Sequence, residues 1–192
     1  YCDHISSHIR KSCIFTLEMI FDRLVKWFAP ILPFTMEEVW MQRQRENSKT
    51  SVHLYDFPKT PSEWTNIELE EKWNRIRDIR SYVTLAIEKE RQNKNIRSSL
   101  EASPVLKIKD KNLFKILSSV DFSEVCITSS IKIEVNEDLQ LDETSSSDEG
   151  IVVTILKAEG EKCNRCWKYT NSYNHYKNKI ICKRCNEVLN NS

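Results

Sequence analysis

Four of the seven cysteines in this 192-residue chain lie in one stretch, EKCNRCWKYTNSYNHYKNKIICKRCNEVL. They form two Cys-x-x-Cys pairs, Cys163 with Cys166 and Cys182 with Cys185. At this spacing each pair can turn tightly enough to aim both sulfurs at one point. Two such knuckles, fifteen residues apart, supply the four thiolates of a tetrahedral zinc site. The competing readings are two redox pairs or four unrelated cysteines. A thioredoxin-like pair, however, opens a helix within a βαβ unit, and no such pattern surrounds these residues. His175 lies between the pairs but is not taken as a ligand, because four thiolates already close the shell. One Zn²⁺ with no open coordination position is expected to be structural and not catalytic. Metal binding worth about 10–16 kcal/mol can fold a module of roughly thirty residues that is too small to bury a core.

Arg165 sits inside the first pair and Trp167 directly after it. Backbone around a metal knuckle is rigid, so the side chains it projects are pre-organised. Lys162, Lys168, Tyr169, Tyr173, Tyr176, Lys177, Lys179, Lys183 and Arg184 surround them. Cations interleaved with rings suit single-stranded nucleic acid, where cations meet phosphates and rings stack on unpaired bases. The same pattern is equally compatible with Trp167 packing on the knuckle as its mini-core while the lysines are simply solvated.

The elements that must carry this module begin with helices. Cys13, Leu17, Ile20, Phe21, Leu24 and Phe28 recur at spacings of three and four, which predicts one amphipathic helix from about Ser7 to Phe28. Ser6 or Ser7 can cap its start, and Pro30 and Pro33 stop it. Thr35 and Glu38 form a capping box for a second helix running to about Gln44. Residues 46–62 read as a polar connection, with a short extended segment at SVHLYDFP. A third helix is predicted from Ile67 to Asn93, burying Leu69, Trp73, Ile76, Val83 and Ile87 and exposing a face rich in Arg and Lys. Beyond it the pattern shifts. Val105, Leu106 and Ile108 suggest a strand after Pro104, and DKNLFKILSSV a short helix capped by Asp110. EVCITSS, IKIEV and IVVTILKA are rich in β-branched residues and read as strands. The acidic, serine-rich NEDLQLDETSSSDEG between the last two reads as a solvated loop.

The expected fold class is therefore mainly α: a helical bundle over residues 1–100, a small α+β unit over 101–158, and a four-cysteine zinc module over 159–192. With 30% charged residues and a net charge of +1, the chain as a whole carries no field that implies nucleic acid, so charge must be read locally. No run of about 18 apolar residues predicts a membrane span, and the N-terminal residues do not read as a signal peptide. Seven cysteines, four of them closely paired, fit a metal site in a reducing cytoplasm better than a secreted disulfide framework. The start at Tyr1, without Met, reads as a piece of a longer polypeptide.

Three stretches together resemble one family. WFAPILPFTMEEVW resembles a helical segment of the class I aminoacyl-tRNA synthetases for isoleucine, valine and leucine. EKERQNKNIRSSLEASPVLKI resembles the segment after the anticodon-binding helices of isoleucyl-tRNA synthetases. KCNRCWKYT with ICKRCNEVL is similar to the C-terminal zinc finger of the bacterial form. The resemblance reaches from residue 1 to about 189. One local departure is Ile96-Arg97, where the family tends to have Ile-Gly; a glycine there permits a positive φ that Arg97 adopts only at a cost.

The resemblance implies that residues 1–100 are an anticodon-binding helical domain and that the partner is isoleucine tRNA, with neither membrane nor DNA expected. It implies that the parent enzyme joins isoleucine to tRNA with ATP and Mg²⁺, in a catalytic domain that lies, with an editing domain, N-terminal to this piece. No His-Ile-Gly-His-like or Lys-Met-Ser-Lys-Ser-like motif occurs here, so this chain alone is expected to be inactive. By resemblance to the finger, Arg165 and Trp167 are the candidates for base contact, with Lys168 beside them. Arg80, Lys89, Arg91 and Lys94 are candidates for phosphate contact. Two other classes compete. A DNA-repair glycosylase with a related finger needs an N-terminal proline nucleophile, whereas this chain begins YCDH. The other is a non-catalytic zinc-ribbon interaction module.

Overall fold

Ser7 starts the first helix as predicted. Its side chain accepts from the Arg10 backbone N–H, and α1 runs from His8 to Phe28. The computed structural model describes residues 2–43, 50–136 and 150–190. The second helix, α2 (Pro33–Arg43), begins at Pro33 and not at a Thr35 cap. Proline suits a first helical turn, where its missing N–H would be unpaired anyway. Gln44, the expected end of α2, lies outside the described residues. SVHLYDFP forms no strand: Ser51 caps a 3-10 turn over Val52–Leu54, with extended backbone at Ser51 and Tyr55 on either side. Glu37 joins this turn to α2, its carboxylate accepting from the Ser51 hydroxyl (2.8 Å) and the Val52 N–H (2.9 Å).

These segments form one of two compact units, residues 3–65; the other comprises residues 66–192 together with Cys2. The core of the first unit is Val25, Ala29, Trp40 and Val52, with Phe21, Met36 and Val39 against it. The expected buried face of α1 is therefore largely wrong. Cys13, Leu17, Ile20, Leu24 and Phe28 are exposed, because α2 and the 3-10 turn cover the Val25–Ala29 side. Arg23 is also buried, its guanidinium 4.4 Å from the centre of the Trp64 ring, a cation–π contact.

In the second unit Asn66 caps α3 (Ile67–Gln92), accepting from the Leu69 N–H at 2.9 Å. Ile76, Ile79, Val83 and Ile87 are its buried stripe. The expectation missed Ile79 and wrongly buried Leu69 and Trp73, which are 48% and 38% exposed: the first two turns of α3 contribute nothing to the core. The stripe packs on a three-stranded sheet of order β2-β1-β3. β1 (Ala102–Ile108) is central, parallel to β2 (Lys132–Val135) and antiparallel to β3 (Ile151–Lys157). Pro104 is tolerated in this central strand because pairing with β2 starts only at Val105. Strict burial alternation along β1 puts Ala102, Leu106 and Ile108 into the core with Leu113, Leu117 and Phe122.

Asp110 caps α4 (Lys111–Ser118) as predicted, accepting from the Asn112 N–H. EVCITSS is not a strand. Asp121 caps a short helix, α5 (Phe122–Cys126), which Ile127 closes in the left-handed conformation at φ 57°. Phe122 and Cys126, four apart, both point into the core, so tertiary burial at helical spacing overrides the β-branched composition. At the end of α3 the positive φ falls on Lys94 (61°), not on Arg97, whose N–H bonds Glu101 while Ile96 is buried. The acidic stretch 137–149 lies outside the described residues. Among the described residues, no helix is long and apolar enough to cross a membrane.

This packing separates two leucine-sized side chains on one helix. Ile79→Ala is expected to cost about 2–5 kcal/mol in urea unfolding, the range for emptying a fully buried aliphatic site, and Leu69→Ala about 1 kcal/mol or less. Equal losses would contradict the observed face of α3.

Candidate metal centre and nucleic-acid interface

The C-terminal segment folds as two small hairpins and a helix. β4 (Glu161–Lys162) pairs with β5 (Tyr169–Thr170), and β6 (Tyr173–Tyr176) with β7 (Lys179–Cys182), ahead of α6 (Lys183–Asn190). The first hairpin encloses the first knuckle. Cys163 N–H donates to the Lys168 carbonyl (3.0 Å), and Trp167 N–H to the Cys163 carbonyl (2.9 Å). The second knuckle spans the end of β7 and the first turn of α6. A left-handed pair, Lys177 and Asn178 (φ 48° and 62°), makes the tight turn between β6 and β7.

The two knuckles meet. The sulfurs of Cys163, Cys166, Cys182 and Cys185 lie within 4.8 Å of one another, with Cys166 and Cys182 at 3.7 Å. Cys163 and Cys185 are fully buried and form, with Ile181, the centre of the module's small core. Without a cation the thiols do not share one protonation state. Burial pushes Cys182 up to about 12 and also raises Cys166. At Cys163 burial acts in the same direction, but N–H groups of Cys166, Cys182 and Arg165 outweigh it and bring the thiol down to about 6. Such a set can hold one tetrahedral metal ion, whose charge would permit all four thiolates together. His175 is not in the cluster; its exposed ring meets Tyr173 edge-on at 5.9 Å.

The other expected site residues divide. Arg165 points at the cluster: its Nη1 donates to the Cys2 carbonyl at 2.6 Å and to the Cys185 sulfur at 3.6 Å. Trp167 points away from it. It is 60% exposed, at φ 67°, and outside the module's core, with the Lys162 ammonium 5.6 Å from its ring centre. Lys168 lies 3.8 Å from the Glu124 carboxylate, which also accepts from Arg184 at 3.0 Å. Arg80 donates to the Val125 carbonyl (2.9 Å), at the end of the same α5. Arg80, Lys168 and Arg184 therefore gather around one short helix. Lys89 and Arg91 lie about 13–17 Å further along α3 by helical rise, Arg91 paired with Glu88, and Lys94 lies beyond the helix end.

Three supporting residues were not singled out by sequence. Ser129 accepts from the Tyr169 N–H (2.7 Å) and donates to the Leu100 carbonyl (2.5 Å), tying the first hairpin to the sheet unit. Glu124 ties the second knuckle to it through Arg184. Neither has a sequence signal, since each partner lies 29 or more residues away. Gly160, one of only two glycines, does have one. It sits at φ 89°, and a Cβ there would come within 2.3 Å of the Thr170 backbone. Gly160→Ala is accordingly expected to loosen the module selectively. Amide exchange should rise across residues 161–190 while the α3–sheet core stays protected. Unchanged exchange in the module would show that the strand pair can absorb the clash.

Residues 1–106 match the family model of the anticodon-binding domain of tRNA ligases. The chain is 45% identical over 170 residues to the isoleucine–tRNA ligase of Brucella abortus, and equally to that of Bartonella henselae, with 88% of this chain aligned. It is 44% identical over 184 residues, 96% of this chain, to the isoleucine–tRNA ligase of Pelagibacter ubique. It spans only about 17–18% of the length of these relatives. With more than half its residues inside that family model and this identity across nearly its whole length, the chain belongs to the anticodon-binding family of tRNA ligases and is homologous to the isoleucine–tRNA ligases.

Proposed function

We propose that this chain is the tRNA-reading region of an isoleucine–tRNA ligase, in which a zinc-held knuckle presents Trp167 to the anticodon. The observation that carries this reading is Trp167 itself. A bulky residue held at positive φ costs on the order of 1–3 kcal/mol and persists only where its surroundings impose it. Here that strained residue turns its ring outward, 60% exposed, while Ile181, Tyr176 and Leu189 fill the module's core. An exposed ring on a rigid knuckle can stack on an unpaired base. Lys162 and Lys168 stand beside it for phosphate. Arg165 can join in base contact only by leaving Cys185. Lys89 and Lys94 are exposed and supply non-specific phosphate contact, with Arg80 and Arg91 contributing less because each already has an intramolecular partner.

In this reading residues 1–100 bind and position tRNA, 101–158 join them to the finger, and 159–192 are the finger. The ligation of isoleucine to tRNA, with its ATP and Mg²⁺, belongs to other parts of such an enzyme, working in the cytoplasm. The exposed apolar side chains of α1, including Leu17, Ile20 and Leu24, support a further partner in the remaining polypeptide of the ligase.

We assign the metal as one zinc. Four sulfurs about 2.3 Å from zinc at tetrahedral angles stand about 3.8 Å apart, and the Cys166–Cys182 separation is 3.7 Å. The zinc would fix the knuckles; the RNA contacts are made by the chain's own residues. Elemental analysis is expected to find one zinc per chain, and Cys182→Ser to abolish it, leaving residues beyond Glu159 unfolded and the helical units intact. Because Cys166 and Cys182 keep their protons at neutral pH without metal, zinc uptake releases protons, and apparent affinity falls as pH falls. Zinc-free protein purified without chelator would refute the assignment.

Trp167→Ala, with zinc retained, is expected to weaken binding of isoleucine tRNA by about 5–150-fold, the equivalent of the 1–3 kcal/mol of one stacking contact, and to narrow the gap to an anticodon-altered tRNA. Lys89→Ala should weaken both tRNAs alike and reduce the salt dependence. If the ratio of the two affinities survives loss of Trp167, that residue does not read the anticodon.

A further inference from the structure

We infer that Arg165 is the counter-charge of the metal centre, a positioning residue that reaches from the first knuckle to hold the last sulfur of the second. The inference rests on the zinc reading above and goes beyond it, since it gives a role to a residue that is not a ligand. Four thiolates around one Zn²⁺ leave a net charge of about −2. Two of these sulfurs, on Cys163 and Cys185, are fully buried, where uncompensated charge is costly. Cys163 is served by the backbone: the Cys182 N–H reaches its sulfur at 3.3 Å. Cys185 is served by a side chain, the Arg165 guanidinium at 3.6 Å, a hydrogen-bonding distance for the larger sulfur atom.

The geometry suits arginine in particular. One planar, permanently charged group makes two contacts at once, to the Cys185 sulfur and to the Cys2 carbonyl at 2.6 Å, and the carbonyl contact fixes the direction of the sulfur contact. Both contacts come from one nitrogen, Nη1, held in the guanidinium plane, whereas a lysine ammonium is a flexible point charge. Four other cations of the module are directed elsewhere: Lys168 and Arg184 to Glu124, Lys162 over the Trp167 ring and Lys177 over the Tyr176 ring. Arg165 also closes the module across its own length, because it joins two knuckles twenty residues apart in sequence. Partners that hydrogen-bond a ligand in this way orient it and tune its donor strength, and their removal typically costs about 10–100-fold in metal affinity.

The test uses the full chain loaded with zinc or, separately, with Co²⁺. Competition against a chromophoric chelator gives the apparent zinc affinity of the parent, Arg165→Met and Arg165→Lys. We expect about a 10–100-fold loss for the methionine variant and a smaller loss for lysine. In the cobalt-loaded protein the sulfur-to-cobalt charge-transfer band should move to lower energy in the methionine variant, because a thiolate that loses a hydrogen bond is a stronger donor. A structural role without contact to sulfur would leave that band in place. A parent that binds no zinc overturns the metal assignment and this inference together. A parent that binds zinc, with a methionine variant within twofold of it and an unshifted band, overturns this inference alone. Should Arg165→Met fail to fold, Arg165→Gln, which keeps a donor without the charge, decides: parental affinity together with a parental band position overturns the role.

Discussion

The convergence of four cysteine sulfurs from two distant knuckles is the constraint on which the C-terminal module depends. Apart from those sulfurs, this segment has little to bury: Ile181, Tyr176 and Leu189 around Cys163 and Cys185. Its strands are two to four residues long and its helix eight. Elements so short do not persist on backbone hydrogen bonding alone. A metal bound by four thiolates at one point would replace a hydrophobic core with a few strong bonds. Trp167, between the knuckle and β5, takes a left-handed conformation and lies outside that core. Strain at one exposed ring is tolerable where the neighbouring backbone is pinned on both sides.

The module is seated by a second, quite different set of contacts. α5 supplies Glu124 to Lys168 and Arg184, while the loop after it supplies Ser129 to the Tyr169 N–H. Arg80 of α3 in turn holds the Val125 carbonyl at the end of α5. The long helix, the short helix and the finger are thus linked through polar contacts around a five-residue element. Exposed ion pairs of this kind contribute little to stability, about 0–1 kcal/mol each. Their effect is directional: basic side chains that composition alone would place in solvent are held against one helix. Lys89 and Lys94, also exposed, lie on a different part of the surface, toward and beyond the far end of α3.

The first unit presents the opposite situation, with apolar surface in excess of what its own elements cover. Leu17, Ile20, Leu24 and Phe28 run along one side of α1, yet α2 and the Val52 turn cover another. An amphipathic helix must bury its apolar stripe against some other element. Within residues 3–65 the packing that exists comes from Val25, Ala29, Trp40 and Val52, a small cluster for a unit of this length.

Much of this was legible in the chain itself. Spacing and caps located α1, α3 and α4 nearly to the residue, and β-branched runs located β1, β2 and β3, because these signals act within a few residues and need no partner. The four-cysteine cluster was legible for the same reason: the short Cys-x-x-Cys spacing lets both sulfurs of a pair face one way. Tertiary structure alone decided which side of each element was covered. Periodicity marks an apolar stripe but not what packs on it, so Leu69, Trp73 and most of the α1 stripe were assigned to cores that do not include them. It also decided that Val125 and Ile127 belong to a helix and its left-handed end, since burial of Phe122 and Cys126 outweighs a local β preference of about 1 kcal/mol. And it separated Arg165 from Trp167. Two residues apart, they are indistinguishable as surface candidates in sequence, but the backbone turns one toward the Cys185 sulfur and the other toward solvent.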